Sequence, residues 1–139
     1  MNESDVAQII PWLLDGELAE LETLRAQWRT CHVEQCEYTG WGFYGPLVLP
    51  ENAPRLPGDP SLVMGDVCAD VEQLEHGCGF LLFIEKGLLK LLECHPWGDE
   101  GMPEEPSYSR LYYVGVDGGQ ITEVERRDMS SLSRKLSCC

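Results

Sequence analysis

Two apolar runs flank a short turn between Cys78 and Cys94, in the segment CGFLLFIEKGLLKLLEC. The first run, CGFLLFIE, is apolar at successive positions, which is typical of a strand covered on both faces. Lys86-Gly87 predicts a tight turn, because glycine accepts the positive backbone angles that hairpin turns require. The second run, LLKLLEC, then returns. The segment therefore predicts a hairpin at the centre of an antiparallel sheet.

Other segments alternate apolar and polar residues, which predicts strands with one face against the core. They lie at residues 41–49, 63–71, 110–116 and 120–124. Pro46 cannot donate to a sheet ladder and indicates an edge or a bulge in the first of them. Proline-rich polar stretches at 51–60 and 96–106 predict loops.

The chain begins with a helical pattern. Apolar residues repeat at helical spacing in two stripes, Val6-Ile9-Ile10-Leu13-Leu14 and Leu18-Leu21-Leu24-Trp28. Ser4 is placed to cap the first helix, and Asp15-Gly16 separates the two. Pro11 predicts a kink in the first helix or its division into two short turns. Met129, Leu132 and Leu136 indicate a short final helix.

These elements predict one α+β domain over residues 1–139, since 139 residues suffice for one core and not for two. An N-terminal helical pair (4–28) packs on an antiparallel sheet of about five to six strands built from hairpins (30–125). A basic tail with the short helix follows at 126–139, and it either folds back on the body or frays.

The charge balance limits the partners. The chain holds 24 acidic and 10 basic residues, a formal net charge of −14. Such an excess repels nucleic acid and anionic membrane surfaces, so we expect neither as a partner. It raises solubility, and it favours encounter with a protein of basic surface.

The start of the chain, MNESDVAQII, lacks the features of a secretory signal, and no apolar run has the length of a membrane span. We therefore expect a cytoplasmic protein whose seven cysteines are reduced, most of them as small buried hydrophobes. The final Cys138-Cys139 pair is similar to doubly prenylated termini, but no C-a-a-X box is present. We interpret it as an unstructured end with reactive thiols.

No motif specific to a reaction occurs, and we predict no catalytic residue, metal or cofactor. The alternative is a small hydrolase or metal-binding protein that uses His76, Cys78 and Glu93. His76-x-Cys78 pairs a thiol with an imidazole, and Glu93 is an acid within an apolar run. A metal site would draw on Cys31, His32, Cys36, His76, Cys78, Cys94 and His95. No C-x₂-C occurs, however, and structural zinc sites typically show such close pairs.

Aromatic residues beside carboxylates suggest a protein-binding face instead. Tyr38, Trp41, Phe43 and Tyr44 are crowded in one segment, and Trp97 precedes the acidic stretch that holds Asp99 and Glu100. The predicted interface residues are Trp41, Tyr44, Glu75, His76, Trp97, Asp99 and Glu100. The competing interpretation places the first aromatic group in the core, with Trp97 covering it.

Five runs of the sequence form a recognisable set: EYTGWGFY at 37–44, VLP at 48–50, GDV at 65–67, LEHGCGFLLF at 74–83 and LLE at 91–93. They resemble a family of uncharacterised small acidic bacterial proteins, whose members often read YTGxGFF and GxGFxLFxxxGxLxxLE. The resemblance covers roughly residues 5–125 and implies a bacterial cytosolic protein, with no activity or functional residue attached. By analogy alone, small acidic domains of this kind are also similar to immunity proteins. We therefore favour a non-catalytic module that binds a basic protein, such as an immunity protein against a basic toxin.

Overall fold

The computed structural model describes residues 2–137, so Cys138 and Cys139 lie outside the described residues. Three helices form within this range: α1 (Glu3–Leu13), α2 (Ala19–Arg29) and α3 (Met129–Ser137). Eight strands form between α2 and α3: β1 (His32–Val33), β2 (Glu37–Tyr38), β3 (Phe43–Val48), β4 (Leu62–Val71), β5 (Cys78–Glu85), β6 (Leu88–Pro96), β7 (Tyr108–Asp117) and β8 (Gln120–Val124). The α+β class is confirmed.

All strand pairs are antiparallel, in the order β1-β3-β6-β5-β4-β7-β8, with β2 also pairing with β3. The hairpin of β5 and β6 lies in the middle of this order, as its two apolar faces predict. The predicted count of five to six strands is too low. The additional strands β1 and β2 contain two residues each, and both pair with β3. Pro46 therefore lies on a strand whose outer side is covered only by these short segments.

α1 begins two residues earlier than predicted. Asn2, not Ser4, is the N-cap: its side chain accepts the Asp5 N–H at 3.0 Å, and the Asp5 carboxylate accepts the Asn2 N–H at 2.9 Å. This reciprocal capping box satisfies two free backbone donors. The predicted division at Pro11 is wrong, because α1 continues through Pro11 to Leu13. Pro11 has no N–H to donate to the Ala7 carbonyl, so α1 continues with one backbone hydrogen bond fewer.

α1 and α2 contribute fully buried side chains to the core, among them Ile9, Leu13 and Leu24, which join Phe80 and Leu82 of the central strand. Tyr113 of β7 marks this face of the sheet, because its hydroxyl donates to the Trp12 carbonyl at 2.6 Å. We call this the helix-covered face. Side chains alternate along a strand, so Tyr112 lies on the opposite, outer face.

The basic tail folds back on the body. Arg127 donates to Asp66 on β4 and to the Asp15 carbonyl between α1 and α2. Leu132 and Leu136 of α3 are buried in the core cluster. The tail is therefore part of the domain as far as residue 137.

Candidate functional site

Three loops lie at one end of the sheet: residues 38–42, 72–77 and 97–107. They adjoin strand ends that the antiparallel register places side by side, with Cys78 opposite Pro96 and Val71 opposite Tyr108. We call these three loops together the acidic end. The sheet is part of the hydrophobic core. It thus places side by side three loops that are distant in sequence.

Hydrogen bonds join the second loop to the third. The Gln73 side chain donates to the Glu105 carbonyl at 2.9 Å and accepts the Ser107 N–H at 3.0 Å. The Glu100 carboxylate accepts the Glu75 N–H at 3.1 Å. Because two backbone groups of one loop bind one side chain of the other, the two loops are held in a defined arrangement.

The first loop is attached to the third through two further bonds. The Tyr38 hydroxyl donates to the Met102 carbonyl at 2.6 Å, and the Met102 N–H donates to the Trp41 carbonyl at 3.4 Å. The Met102 side chain is buried in the core cluster. The acidic end is therefore anchored to the hydrophobic core.

The charge of the acidic end has one sign. Its loops hold six carboxylates and no lysine or arginine: Glu72, Glu75, Asp99, Glu100, Glu104 and Glu105. All six side chains belong to exposed residues. A cluster of exposed carboxylates without cations attracts basic molecules over about one Debye length, roughly 8–10 Å.

Two tryptophans are exposed at the same end. Trp41 is 54 % exposed and Trp97 is 43 % exposed. Large aromatic side chains are usually buried, and at protein interfaces they are frequent anchors of binding. Phe43 is buried, as the core interpretation expects, and Trp41 is not. Trp97 lies against His95 and Gly79.

Six of the seven predicted interface residues lie in these loops: Trp41, Glu75, His76, Trp97, Asp99 and Glu100. Tyr44 does not. It is half-buried on β3, where the sheet register places it opposite Glu37 and Glu93. The sequence predicted these six residues because aromatic and acidic residues are crowded there. It placed Tyr38 in the crowded aromatic segment but not among the predicted interface residues.

The residues of the alternative enzyme hypothesis do not meet. Cys78 is fully buried on the helix-covered face, next to Cys94. Glu93 lies opposite Leu81, three positions along β5 from Cys78, and so faces outward. His76 is exposed in its loop, with Nε2 at 3.9 Å from the Glu75 carboxylate. The three side chains thus lie in three different environments, one inside the core, one on the outer face and one on an exposed loop.

The buried thiols are poor nucleophiles. A hydrogen bond with Cys94, together with burial, raises the pKa of Cys78. Burial raises the pKa of Cys68 to about 11. Because the thiolate is the reactive and metal-binding form, neither sulfur is activated for attack at neutral pH. Among residues 2–137, no three His, Cys, Asp or Glu side chains are grouped closely enough to hold a metal ion.

Trp97 extends from the acidic end onto the outer face. Its ring meets His95 edge-on, with ring centroids 5.0 Å apart, and both rings lie above Gly79. A methyl group at residue 79 would lie 2.9 Å from the Trp97 ring, so the glycine makes room for the tryptophan. His95 Nδ1 is buried and has no hydrogen-bond partner. Burial lowers the pKa of His95, and the Glu93 carboxylate opposes that shift.

Fold and site together define the chain as a small α+β domain with a preorganised acidic loop surface. No protein-family model, curated protein or solved structure matches it. The family resemblance in the runs at 37–44 and 74–83 accordingly stays a prediction. None of the described helices is both long and apolar enough to span a membrane.

Proposed function

We propose that this chain is a non-catalytic protein-binding module whose acidic end receives a partner with a basic surface. One observation carries the proposal: Trp41 and Trp97 are exposed among six carboxylates on loops that contain no lysine or arginine. Aromatic anchors supply contact area, while the carboxylates supply attraction and orientation.

The rigidity of the surface supports this proposal. The loops are tied to one another through Gln73 and Glu100, and to the core through Met102. A surface that is already ordered loses little conformational entropy when a partner binds. The acidic end thus combines fast electrostatic encounter with a low cost of ordering.

The sharpest form of the proposal is a cytoplasmic immunity protein of a bacterium, which neutralises a basic toxin. An inhibitor needs no catalytic group of its own, only a complementary surface. The charge of the acidic end and the absence of a reaction motif support this form. A toxin that binds nucleic acid would offer the basic surface required.

The first partner to test is the protein encoded beside the gene for this chain. We would measure its affinity by titration calorimetry at about 50 mM and about 500 mM salt, a range over which screening removes surface attraction. The expected result is a one-to-one complex whose affinity is at least about tenfold lower at the higher salt concentration.

Two charge-reversal variants locate the surface. Asp99→Lys/Glu104→Lys changes exposed residues of the acidic end, and Glu22→Lys/Glu51→Lys makes the same change of charge at exposed residues elsewhere. We expect the first pair to weaken binding by roughly tenfold or more and the second by less than about threefold. Equal losses from both pairs would show that only the net charge matters, and the acidic end would then not be the interface.

A further inference from the structure

The outer face of the sheet carries a groove of about 520 Å³. Its floor is apolar and comes from four strands, through Val63, Leu81, Val114 and Ile121. Trp97 and helix α3 border it, and a neighbouring depression shares Trp97, Val114 and Ile121. The volume lies within the range of roughly 300–1,000 Å³ that is typical of small-molecule sites.

The groove leaves apolar side chains in water. Val116 is 78 % exposed and Ile121 is 56 % exposed, and both line the groove together with the exposed ring of Trp97. Covering this surface removes apolar area from water, which is favourable by about 25 cal/mol per Å². The floor therefore favours an occupant with an apolar body.

The charged side chains that line the groove are Asp66, Asp128, Arg134 and Lys135, and their balance is positive once the pair of Asp66 with Arg127 is set aside. Asp66 is bonded to Arg127, and Asp128 accepts hydrogen bonds from Ser130 and Ser131. Arg134 and Lys135 of α3 also line the groove, and neither is within ion-pair distance of a carboxylate in the described range. The hydrogen bonds from Ser131 and Ser130 lower the pKa of Asp128, and the nearby charge of Arg134 acts in the same direction. Within a chain of net charge −14, the groove thus carries one positive charge in excess, from two cations of α3 against the single carboxylate of Asp128.

We propose that this groove binds a small amphipathic anion, specifically a long-chain carboxylate. The apolar chain lies on Val114 and Ile121, and the carboxylate binds Arg134 and Lys135. Charge complementarity selects this class, because an apolar floor beside a border of net positive charge matches a ligand with one apolar and one anionic end. A second copy of the chain is a poorer occupant, since it brings a net charge of −14 to the contact.

The probe is dodecanoate below its micelle concentration, with dodecanol as the uncharged counterpart. Binding is followed by calorimetry and by amide shifts in a two-dimensional NMR spectrum. We expect saturable one-to-one binding, shifts centred on Val114, Ile121 and Ser131, and affinity for dodecanol lower by roughly tenfold.

Matched variants separate charge from shape. Arg134→Gln/Lys135→Gln removes both cations at exposed positions, and Arg29→Gln/Lys90→Gln makes the same change of charge away from the groove. We expect the first pair to lose roughly tenfold in affinity for dodecanoate and the second to lose less than about twofold. Ile121→Asp, which introduces a carboxylate into the floor, abolishes binding.

Three outcomes overturn the proposal: no saturable binding, equal affinity for dodecanoate and dodecanol, or amide shifts outside the groove. A dimer on a sizing column that Ile121→Asp dissociates, without dodecanoate binding, would assign the face to self-association instead. Circular dichroism and thermal unfolding confirm that each variant is folded before binding is compared. The Asp99→Lys/Glu104→Lys variant retains dodecanoate binding, so this test is independent of the partner at the acidic end.

Discussion

Arg127 holds Asp66 through two hydrogen bonds, from Nε at 2.7 Å and from a terminal nitrogen at 2.9 Å. The Arg127 side chain is only 5 % exposed and that of Asp66 is 25 % exposed. The guanidinium also lies over the Tyr113 ring, 5.1 Å from its centroid, and donates to the Asp15 carbonyl. One side chain of the tail thus connects β4, β7 and the turn between α1 and α2.

Replacing Arg127 with Met should destabilise the fold by about 3 kcal/mol, because it leaves the largely covered Asp66 carboxylate without its partner. Urea denaturation measures the change. Asp66→Ala in the same background should restore part of the loss, with a coupling energy of roughly 2 kcal/mol in the double-mutant cycle. Arg126→Met, at the exposed neighbouring position, should change stability by less than about 0.5 kcal/mol. Additive effects of Arg127→Met and Asp66→Ala would show that the pair is not coupled.

Gln27 is a fully buried polar side chain on α2. Its Nε2 donates to the Pro54 carbonyl at 2.7 Å and to the Gly87 carbonyl at 2.8 Å, and its Oε1 accepts the Leu89 N–H at 2.9 Å. The amide therefore joins α2 to the turn of the central hairpin and to the loop before β4.

Gln27→Met keeps the length of the side chain and removes these bonds. We expect a loss of about 3 kcal/mol in the free energy of unfolding, because buried backbone groups lose a partner and no water replaces it. Thermal or urea unfolding provides the measurement. Gln8→Met on the exposed side of α1 is the matched control and should be close to neutral. A nearly neutral Gln27→Met would mean that the hairpin turn is held by packing alone.

The elements that carry their own signal were predictable from the sequence. The hairpin from Cys78 to Cys94 is apolar on both faces, which only a central position explains, and the stripes of α1 and α2 have helical spacing. β1 and β2 could not be predicted, because two residues show no periodicity; their pairing depends on backbone groups that β3 offers. The position of α3 was equally hidden, since it depends on Arg127 reaching Asp66, 61 residues away.

The candidate site was predictable in its composition and not in its arrangement. Crowded aromatic and acidic residues indicated the loops at 38–42 and 97–107. Their contact with the loop at 72–77 depends on hydrogen bonds between residues far apart in sequence. Gln73 binds Glu105 and Ser107, which are 32 and 34 residues away. The groove could not be predicted from the sequence. The alternation of apolar and polar residues in β7 and β8 shows that these strands have a second face, but it does not show what covers that face.

Gly77 lies in the acidic end with a backbone φ of +73°, directly before β5. A side-chain carbon at this position would collide with the Ala69 carbonyl of β4. Gly77→Ala should therefore cost about 3 kcal/mol, from backbone strain and from displacement of the strand. Gly118→Ala has a similar φ of +59° and open space around it, so it reports the strain alone, at about 1 kcal/mol. Equal losses at the two positions in urea unfolding would exclude the collision as a cause.

The burial of His95 makes stability depend on pH. Its lowered pKa results from burial under the Trp97 ring, against the opposing influence of Glu93, and its Nδ1 has no partner to hold a proton. The unfolded chain binds a proton at the ordinary value near 6.5, and the folded chain binds it only at lower pH. Between these two values the unfolded state holds more protons, so stability falls as the pH drops through about 6.5 and levels off below the folded-state pKa.

Replacing His95 with Gln removes this proton and should flatten the stability curve below about pH 6.5, the ordinary pKa of histidine. The measurement is the free energy of unfolding in urea at several pH values, for the natural chain and for His95→Gln. In the natural chain, an NMR titration of the His95 ring should give a pKa below its ordinary value, and the tryptophan emission should change as the ring charges beneath Trp97. Parallel stability curves for the two proteins would show that His95 has the same pKa in the folded and the unfolded chain. Its burial would then not disfavour the protonated ring.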